Sequence, residues 1–466
     1  SLAAANVRAA GTGANASRKS ARNIIFMVAD GMCAASLALT RHYQSVTGGA
    51  PNRWLSLYAA ANGLPPAVRS AVETSSFSSI VTDSSAASSC WGTGKRIKNG
   101  ALNVDPETGR PLVTLFEKAK RAGMLTGLVT TATVTHATPA GFVAHSPQRN
   151  AEKKIAREYL DARVDVLLGG GTQFFDDALR AAYTAAGYEV FEKLATPRPV
   201  PEVGSPESKT KNPHSPVLGL FSEGHMPFSI DSTYAPKPDR PVPTLAAMSK
   251  FALERLHAAS TAAGKGFIVQ IEAARVDHAA HSNDAAALVH DLNAFDDALG
   301  TALAFCAAHP DTLLVVTTDH GCGGMNLNGA GTGYSRSAHE LSRLARCKRS
   351  FGAMRKEARK LTGSAFGDYL REVTGLTISS GDLKRFAVAL DATRAYSPDV
   401  MKSARAAGGA SLGRLFGSYT ALGWTGGQHT GDLAELAALG PGAERFTPFL
   451  RNDQIHNLLL KAVDIG

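Results

Sequence analysis

Three apolar segments of the chain each end on an acidic residue, and carboxylates gathered in this way can bind metal ions. The segments are 23–29, 267–271 and 312–318, and the residues that follow them are Asp30, Glu272 and Asp319 with His320. Each segment has the length and composition of a buried β-strand. Because ligands bind at the carboxyl ends of strands in an open α/β sheet, we expect these acids to lie together. A single acid is more simply explained as a helix cap, but three such acids together weaken that explanation.

An Asp/His pair and a distant histidine form a second set of candidate metal ligands. Asp277 and His281 are four residues apart, so on a helix their side chains can converge on one ion. His429, in the sequence Gln-His-Thr-Gly, is isolated near the C-terminus, and a lone histidine is more often structural than a ligand. Cys322, two residues after His320, is better interpreted as a thiol without a metal.

The order of these motifs resembles that of the alkaline phosphatase family. Along the chain the motifs are Asp30-Gly31, Thr82-Asp83-Ser84, Thr135-His136-Ala137-Thr138-Pro139, Glu272, Asp277-His278 with His281, Asp319-His320 and His429-Thr430-Gly431. The resemblance covers nearly the whole chain, from about residue 22 onward. It implies an enzyme that hydrolyses small phosphate monoesters through a phosphoseryl intermediate, at a centre of two Zn²⁺ ions and one Mg²⁺ ion.

The resemblance also implies which residues bind each ion. One zinc site is expected to use Asp277, His281 and His429. The other is expected to use Asp30, Asp319, His320 and the Ser84 oxygen. The magnesium site is expected to use Asp30, Thr138 and Glu272, so that Asp30 bridges two ions. These ligand types fit the ions, because imidazole with carboxylate suits zinc and an all-oxygen set with water suits magnesium.

The reacting groups follow from the same resemblance. Ser84 is the expected nucleophile, and a serine hydroxyl needs a base or a metal to become reactive. Asp83, its neighbour in the motif, is expected beside the substrate. Arg149 matches the phosphate-binding arginine of the family, and a planar guanidinium can bind two phosphate oxygens at once. Without the motif, Arg149 would be better explained as a surface arginine at the start of a helix.

Two histidines mark a variant of the family pattern. His136 and His278 stand where the most studied bacterial members carry Asp and Lys, and the pair resembles that of the animal enzymes. Both are expected near the substrate and the magnesium site. Because imidazole has fewer acceptors than a carboxylate, we expect magnesium to be bound weakly.

The length of the chain and its alternating patterns predict a large α/β fold. With 466 residues, 44% of them hydrophobic, the chain can bury a large core. A mobile segment over 1–21 and a single catalytic domain over 22–466 are expected, because the ligands are spread from residue 30 to residue 429. The domain is expected to contain a central, mostly parallel sheet with helices on both faces.

Several segments outside the motifs have their own predictions. Residues from about 325 to 425 are expected to form an inserted accessory region, either a crown over the site or the contact surface of a homodimer. Helices are predicted over 245–258, 285–307, 341–361, 366–374 and 382–388. The glycines at 169–171 predict a turn, and the proline-rich segment 196–243 predicts a surface loop.

The charge and hydropathy of the chain indicate which kinds of partner it can bind. The net charge of +9 would attract phosphate anions, although solvation of the surface alone would also explain it. The basic cluster at 343–360 fits a solvated helix face better than a binding patch, because no nucleic-acid-binding motif accompanies it. No apolar run has the length of a membrane span, and the N-terminus lacks the hydrophobic core of a signal peptide. The family resemblance implies a periplasmic or secreted protein.

Three other functions are compatible with parts of the sequence. A phosphodiesterase or sulfatase of the same superfamily would share parts of the metal centre, but Arg149 and the complete third-site set favour the monoesterase. The sequence Gly409-Ala410-Ser411-Leu412-Gly413 matches the Gly-x-Ser-x-Gly motif of serine esterases, although the residues before it do not resemble a buried strand. A protein that only binds phosphate and metal is disfavoured, because the nucleophile and every ligand are present.

Overall fold

The structure is a computed structural model that describes residues 20–59, 66–194, 214–234, 242–406 and 411–465. Its strands are β1 (Asn23–Val28), β2 (Val68–Glu73), β3 (Leu125–Thr133), β4 (Val166–Gly170), β5 (Glu189–Phe191), β6 (Val217–Leu220), β7 (Phe267–Glu272), β8 (Thr312–Thr317), β9 (Gly321–Cys322), β10 (Met325–Leu327), β11 (Leu422–Trp424), β12 (His429–Thr430), β13 (Ala434–Leu439) and β14 (Phe449–Arg451). The first nine helices are α1 (Ala34–Thr47), α2 (Arg53–Ser56), α3 (Ser84–Thr93), α4 (Leu115–Arg121), α5 (Ala137–Ala140), α6 (Glu152–Asp161), α7 (Asp177–Ala185), α8 (Ser229–Tyr234) and α9 (Leu245–Ala262). The remaining helices are α10 (Arg275–His281), α11 (Ala285–Ala308), α12 (Ser337–Ser342), α13 (Phe351–Ala358), α14 (Ser364–Thr374), α15 (Ser380–Ala389), α16 (Pro398–Ala406), α17 (Leu412–Thr420) and α18 (Ile455–Ala462).

Ten strands form one sheet in the order β14-β2-β13-β8-β1-β7-β3-β4-β6-β5. Neighbouring strands are parallel except at β13, which is antiparallel to both β8 and β2. The three strands that precede the predicted acids are adjacent, and Val28 of β1 pairs with Glu272 of β7 and Thr317 of β8. The predicted sheet is confirmed, and its register places the three strand ends at one edge.

Helices cover both faces of the sheet. Strand β1 is fully buried, with Ile25 and Met27 in one hydrophobic cluster and Phe26 and Val28 in the other. The first cluster includes side chains of α1, α9 and α11, and the second includes side chains of α4, α6 and α18. A strand buried on both faces reads as a continuous apolar run, which explains the composition of these segments. None of the helices in the described ranges has the length and hydropathy required to span a bilayer.

The antiparallel pairing of β10 with β11 encloses the segment 325–424, which contains α12 to α17. Its buried side chains, among them Leu344, Phe351 and Phe366, belong to the same hydrophobic cluster as Ile25 of the sheet. The description of this segment as an accessory region of a single catalytic domain stays a prediction, and the continuous packing supports it.

The predicted helix over 341–361 is wrong, because α12 leads into a short 3₁₀ turn and α13 begins only at Phe351. Ser350 caps α13 by accepting from the N–H of Ala353, and its own N–H and hydroxyl donate to the carboxylate of Asp231. Ser350 is therefore the N-cap of a new helix, and Asp231 holds it in this position.

The predicted turn at 169–171 is also wrong for its first two glycines, which lie in β4. A Cβ at Gly170 would lie 2.2 Å from the carbonyl oxygen of Gly224, so the close approach of the chain requires glycine there. Only Gly171, with φ of 101°, has a turn conformation.

Two other predictions meet the limits of the described residues. Of the mobile segment predicted over 1–21, residues 1–19 lie outside the described ranges, whereas Ala21 is buried and donates to the carbonyl of Ala462. Ala21 therefore belongs to the folded part. Of the surface loop predicted over 196–243, residues 196–213 and 235–241 lie outside the described ranges. The prediction is wrong for Val217–Leu220, which form the buried strand β6 between β4 and β5 of the central sheet, because no proline lies within this apolar segment.

The carboxylate of Asp284 links the enclosed segment to α11. Asp284 caps α11 by accepting from the N–H of Ala287 over 3.0 Å, and it also accepts from the N–H of Phe351 at the start of α13 over 2.5 Å. Burial raises the pKa of Asp284 to about 7. This carboxyl group therefore ties the stability of the contact to pH.

We expect Asp284→Asn to lower the free energy of unfolding by about 1–3 kcal/mol, because asparagine has one acceptor oxygen for two N–H groups. The wild type loses stability as pH rises from about 4, the unfolded value, to about 7, because the folded state holds the proton longer. The variant has no such dependence. Urea unfolding with chelator present should therefore show a larger deficit at pH 5 than at pH 8, with exposed Asp368→Asn as the control. An equal deficit at both pH values contradicts the assignment.

Candidate active site

The loops after β1 and β8 bring two carboxylates and an imidazole together. Asp30, Asp319 and His320 are fully buried, and their potential ligand atoms lie within 4.8 Å of one another. The N–H of Gly31 donates to Oδ1 of Asp319 over 3.0 Å. Gly31 has φ of 71°, and a Cβ there would lie 2.6 Å from Oδ1 of Asp277, so only glycine allows the acids to approach so closely.

Ser84 is the first residue of α3 and faces this cluster. Its side chain is buried, and its Oγ lies 3.3 Å from Nε2 of His320. Nδ1 of His320 faces the carbonyl of Gly321 at 3.3 Å, so a neutral ring has its lone pair on Nε2. The N-terminus of α3 favours negative charge at Ser84, as its backbone N–H groups point towards that end.

Asp83 caps α3 and orients Arg149. Its carboxylate accepts from the N–H of Ala86, the N–H of Gly100 and Nη1 of Arg149 over 2.9 to 3.0 Å. The Ser85 hydroxyl also donates to it. Burial alone would raise the pKa of Asp83, but Arg149 and the hydrogen bonds outweigh it and hold this pKa below its usual value. The guanidinium is thereby held by the anion of Asp83, the residue that precedes Ser84 in the chain.

The helix α10 and the strand β12 supply a second cluster. Nε2 of His281 lies 3.3 Å from Oδ2 of Asp277 and 3.0 Å from Nε2 of His429, which is 3.6 Å from Oδ1 of Asp277. Both Nδ1 atoms face carbonyl oxygens, those of Gly427 at 2.7 Å and Thr82 at 2.9 Å. Since a carbonyl only accepts, each Nδ1 carries the ring hydrogen and each neutral Nε2 carries a lone pair. Two lone pairs that face each other require a proton or a cation between them.

A third group lies on the other side of Asp30. Potential ligand atoms of Asp30, His136 and Glu272 lie within 4.8 Å of one another. The Thr138 hydroxyl donates to Oδ2 of Asp30 over 3.5 Å, and the Thr130 hydroxyl donates to Oε2 of Glu272 over 2.5 Å. The group therefore contains the predicted oxygen ligands, with an imidazole added.

The buried carboxylates fit cations. Four acids at this site each have one buried oxygen without a hydrogen-bond partner among the described residues, namely Oδ1 of Asp30, Oε1 of Glu272, Oδ1 of Asp277 and Oδ2 of Asp319. Burial, and then repulsion from Asp319, raises the pKa of Asp30 well above its usual value, and burial raises that of Glu272 to about 7. So many acids cannot all be ionised in one buried space without positive charge, and metal ions supply it.

The predicted site residues all lie in one connected region. The rings of His320 and His429 stack with their centroids 3.6 Å apart, which joins the first two carboxylate–imidazole clusters. Nη2 of Arg149 lies 3.4 Å from Nε2 of His136, whose ring centroid is 5.6 Å from that of His278. The functional roles of these residues stay predictions.

Two residues at the site were not among the predicted site residues. His225, from the loop between β6 and α8, has a ring nitrogen within 4.8 Å of those of His136 and His278. Its position within the proline-rich segment 196–243, for which a surface loop is predicted, gives no indication of a place at the site. Cys322 has its sulfur near Asp277, but burial and the neighbouring acids raise the pKa of this thiol, which favours the protonated, structural form.

A serine at a helix N-terminus, an arginine and carboxylate–imidazole clusters at the carboxyl edge of a parallel sheet define a metal-dependent hydrolase of phosphate esters. The sequence profile of the alkaline phosphatase family matches residues 21–465. The chain belongs to this family, and it is a hydrolase of phosphate monoesters.

Individual relatives support the same assignment. Alkaline phosphatase 4 of Bacillus subtilis is 29% identical over 96% of this chain and 89% of its own length. The Escherichia coli alkaline phosphatase is 30% identical over 78% of this chain and 84% of its own length. The crystal structure of the Thermus thermophilus alkaline phosphatase is 33% identical and superimposes with a TM-score of 0.80 over 96% of this chain and 92% of that one.

Proposed function

We propose that Ser84 is the residue that accepts the phosphoryl group when this enzyme hydrolyses a phosphate monoester. The observation that carries this proposal is the position of its buried hydroxyl at the start of α3, 3.3 Å from Nε2 of His320. Ser84 Oγ forms a new P–O bond as the ester P–O bond breaks, and the leaving group departs as an alcohol with the proton that the Ser84 hydroxyl has lost. Water then breaks the Ser84–phosphate bond, and the hydroxyl is restored with release of inorganic phosphate.

We assign the metal ligands as the resemblance predicts. Asp277, His281 and His429 would hold one zinc ion, Asp30, Asp319 and His320 a second, and Asp30, Thr138 and Glu272 a magnesium ion. Such ions supply Lewis acidity, which lowers the pKa of a hydroxyl or a water molecule and neutralises charge on phosphoryl oxygens. The partnerless oxygens of the four acids support this assignment.

The chain's own groups position the phosphate. Arg149 would bind two phosphate oxygens, and Asp83 holds its guanidinium through Nη1 so that the other N–H groups remain for the substrate. The N–H groups of the first turn of α3 stabilise negative charge beside Ser84. His136 and His278 would lie next to the bound substrate.

We expect Arg149→Ala to raise KM and the inhibition constant of inorganic phosphate by about 10- to 100-fold, because hydrogen bonds to a charged group are lost. Zinc content, measured by elemental analysis, should not change. The KM of Arg149→Lys should lie between those of the wild type and Arg149→Ala, since lysine keeps the charge but cannot bind two oxygens in the paired geometry. Exposed Arg110→Ala is the control. Loss of zinc in Arg149→Ala would show that its role is misassigned.

We expect His136→Asp to make the enzyme retain magnesium more firmly. Nδ1 of His136 is buried without a hydrogen-bond partner among the described residues, near Asp30 and Glu272. A carboxylate there adds charge and acceptors for magnesium-bound water, which imidazole cannot. Magnesium analysis after gel filtration measures the effect. If the wild type already keeps one magnesium per chain, and dilution without magnesium leaves its rate unchanged, this role of His136 is wrong.

The alternative function is that of a phosphodiesterase or a sulfatase of the same superfamily. Rates on p-nitrophenyl phosphate, bis(p-nitrophenyl) phosphate and p-nitrophenyl sulfate, before and after chelation, test the proposal. We expect the monoester to be preferred and chelation to abolish turnover. Faster hydrolysis of the diester or sulfate, or activity unaffected by chelation, contradicts it.

The serine esterase alternative loses support. Ser411 caps α17, and the element before it is the helix α16 and not a strand. Gly409 and Ala410 of the motif lie outside the described ranges.

Location and assembly are further proposals. The family resemblance supports a periplasmic or secreted enzyme. The enclosed segment 325–424 offers a surface for a homodimer, and light scattering during gel filtration measures the mass. A monomer at all concentrations would leave this segment the role of a crown over the site.

A further inference from the structure

Three histidines lie side by side at the rim of the site, and the proposed mechanism does not use one of them. One ring nitrogen from each of His136, His225 and His278 lies within 4.8 Å of those from the other two. The centroids of His225 and His278 are 4.5 Å apart, and part of His225 is exposed to solvent. Such a cluster could bind a metal ion or donate hydrogen bonds to an anion. The positions of the ring hydrogens decide between the two.

The partner of each Nδ1 atom determines where the ring hydrogen lies. The backbone N–H of Thr133 donates to Nδ1 of His225 over 3.1 Å. The guanidinium of Arg275 donates to Nδ1 of His278 over 2.6 Å. Both partners can only donate, so each Nδ1 carries a lone pair and each neutral ring has its hydrogen on Nε2.

These tautomers suit an anion better than a metal ion. A metal ligand needs an unprotonated nitrogen, which His281 and His429 provide because their Nδ1 atoms face carbonyl oxygens. His225 and His278 have the opposite arrangement, and their Nε2 atoms are N–H donors. Burial, and then the charge of Arg275, lowers the pKa of His225 to about 4, so this ring is neutral at pH 7 and above.

We propose that the Nε2–H groups of His225 and His278 bind a second oxyanion on the leaving group of the substrate, beside the phosphoryl group. This inference rests on the proposed function. Arg149 contacts His136, and the ring of His136 lies edge-on to those of His225 and His278, so hydrogen-bonding groups continue from the phosphate-binding arginine to the rim. The substrates favoured are small phosphate monoesters with a carboxylate or similar oxyanion close to the ester oxygen.

A matched pair of substrates tests the inference. 2-Phosphoglycerate has a carboxylate where glycerol 2-phosphate has a hydroxymethyl group, and the two are otherwise the same. The measured quantity is kcat/KM for 2-phosphoglycerate divided by kcat/KM for glycerol 2-phosphate. His225→Leu should lower this ratio by about tenfold, mainly through KM for 2-phosphoglycerate. His225→Gln, whose amide N–H can replace the Nε2–H group, should keep most of the ratio. His42→Leu, at an exposed histidine of α1, should not change it.

The outcomes separate the inference from the proposed function. A ratio that is unchanged in His225→Leu, or lowered equally in His225→Gln, overturns the inference alone. Elemental analysis gives an independent result, because loss of a bound metal ion in His225→Leu would show the cluster to be a metal site and the proposal to be wrong. If the wild type does not hydrolyse glycerol 2-phosphate, the proposed function fails and the inference fails with it.

Discussion

Replacing Ser84 with alanine should lower kcat for p-nitrophenyl phosphate by at least about 1,000-fold, because loss of a nucleophile in an otherwise intact site leaves only a small residual rate. The methyl group of alanine cannot form the P–O bond, whereas Arg149 and the carboxylate and imidazole ligands of the metal ions remain. The variant should therefore still bind inorganic phosphate. Steady-state rates and phosphate titration measure the two effects.

Ser85 is the natural control for this experiment. Its hydroxyl donates to both oxygens of Asp83, so it has a structural role beside the nucleophile. Ser85→Ala should lower kcat/KM by less than about tenfold, since Asp83 keeps Arg149 and two N–H groups as partners. A Ser84→Ala enzyme that turns over normally, with an inactive Ser85→Ala enzyme, would reverse the assignment.

Asp319→Ala should lose zinc and lower kcat by at least about 1,000-fold, because a structural or catalytic zinc needs three or four protein ligands. Asp319 also accepts from the N–H of Gly31 over 3.0 Å and lies 3.0 Å from Nε2 of His320. Its removal therefore leaves two buried polar groups, the N–H of Gly31 and the ring of His320, without this partner. Asp319→Asn keeps the shape and an acceptor for Gly31 but removes the charge. It should fold as the wild type does and still lose zinc.

Elemental analysis and circular dichroism together separate these effects. Exposed Asp368→Asn, on α14, controls for the loss of a carboxylate elsewhere. If Asp319→Asn folds, retains full zinc and keeps its rate, Asp319 is not a ligand. If Asp319→Ala retains zinc while Arg149→Ala loses it, the two roles are exchanged.

The edge of the sheet that carries the acids could be predicted from the sequence. Strands β1, β7 and β8 are buried on both faces, so their apolar composition was visible, and the acids mark their carboxyl ends. Parallel pairing then brings the ends together. The confirmed sheet follows from this local pattern, although β13, which runs in the opposite direction, gave no comparable signal.

Features that depend on distant partners could not be predicted. The interruption before α13 depends on Asp231, which is 119 residues from Ser350 in the chain. The need for glycine at position 170 depends on the approach of Gly224. Hydrophobic periodicity reports what a segment buries but not which polar group will meet it.

The histidines show the same limit at the site. His281 was recognised through its spacing from Asp277 on one helix. His225 comes from a loop, and its tautomer depends on a backbone N–H that the sequence does not identify as its partner. Residue type therefore predicted a cluster of ligands, and only the three-dimensional structure distinguishes imidazoles that accept a metal ion from those that donate a hydrogen bond.

Ser84 is proposed to carry the phosphoryl group, and this covalent state can be measured directly. Incubation of the wild-type enzyme with substrate at acid pH, followed by rapid denaturation, proteolysis and mass spectrometry, locates the covalent phosphate. We predict phosphate on Ser84 of the peptide that contains Asp83 and Ser85, and none in Ser84→Ala. Phosphate on Ser85, or no phosphorylated residue in an enzyme that is turning over, would contradict the account.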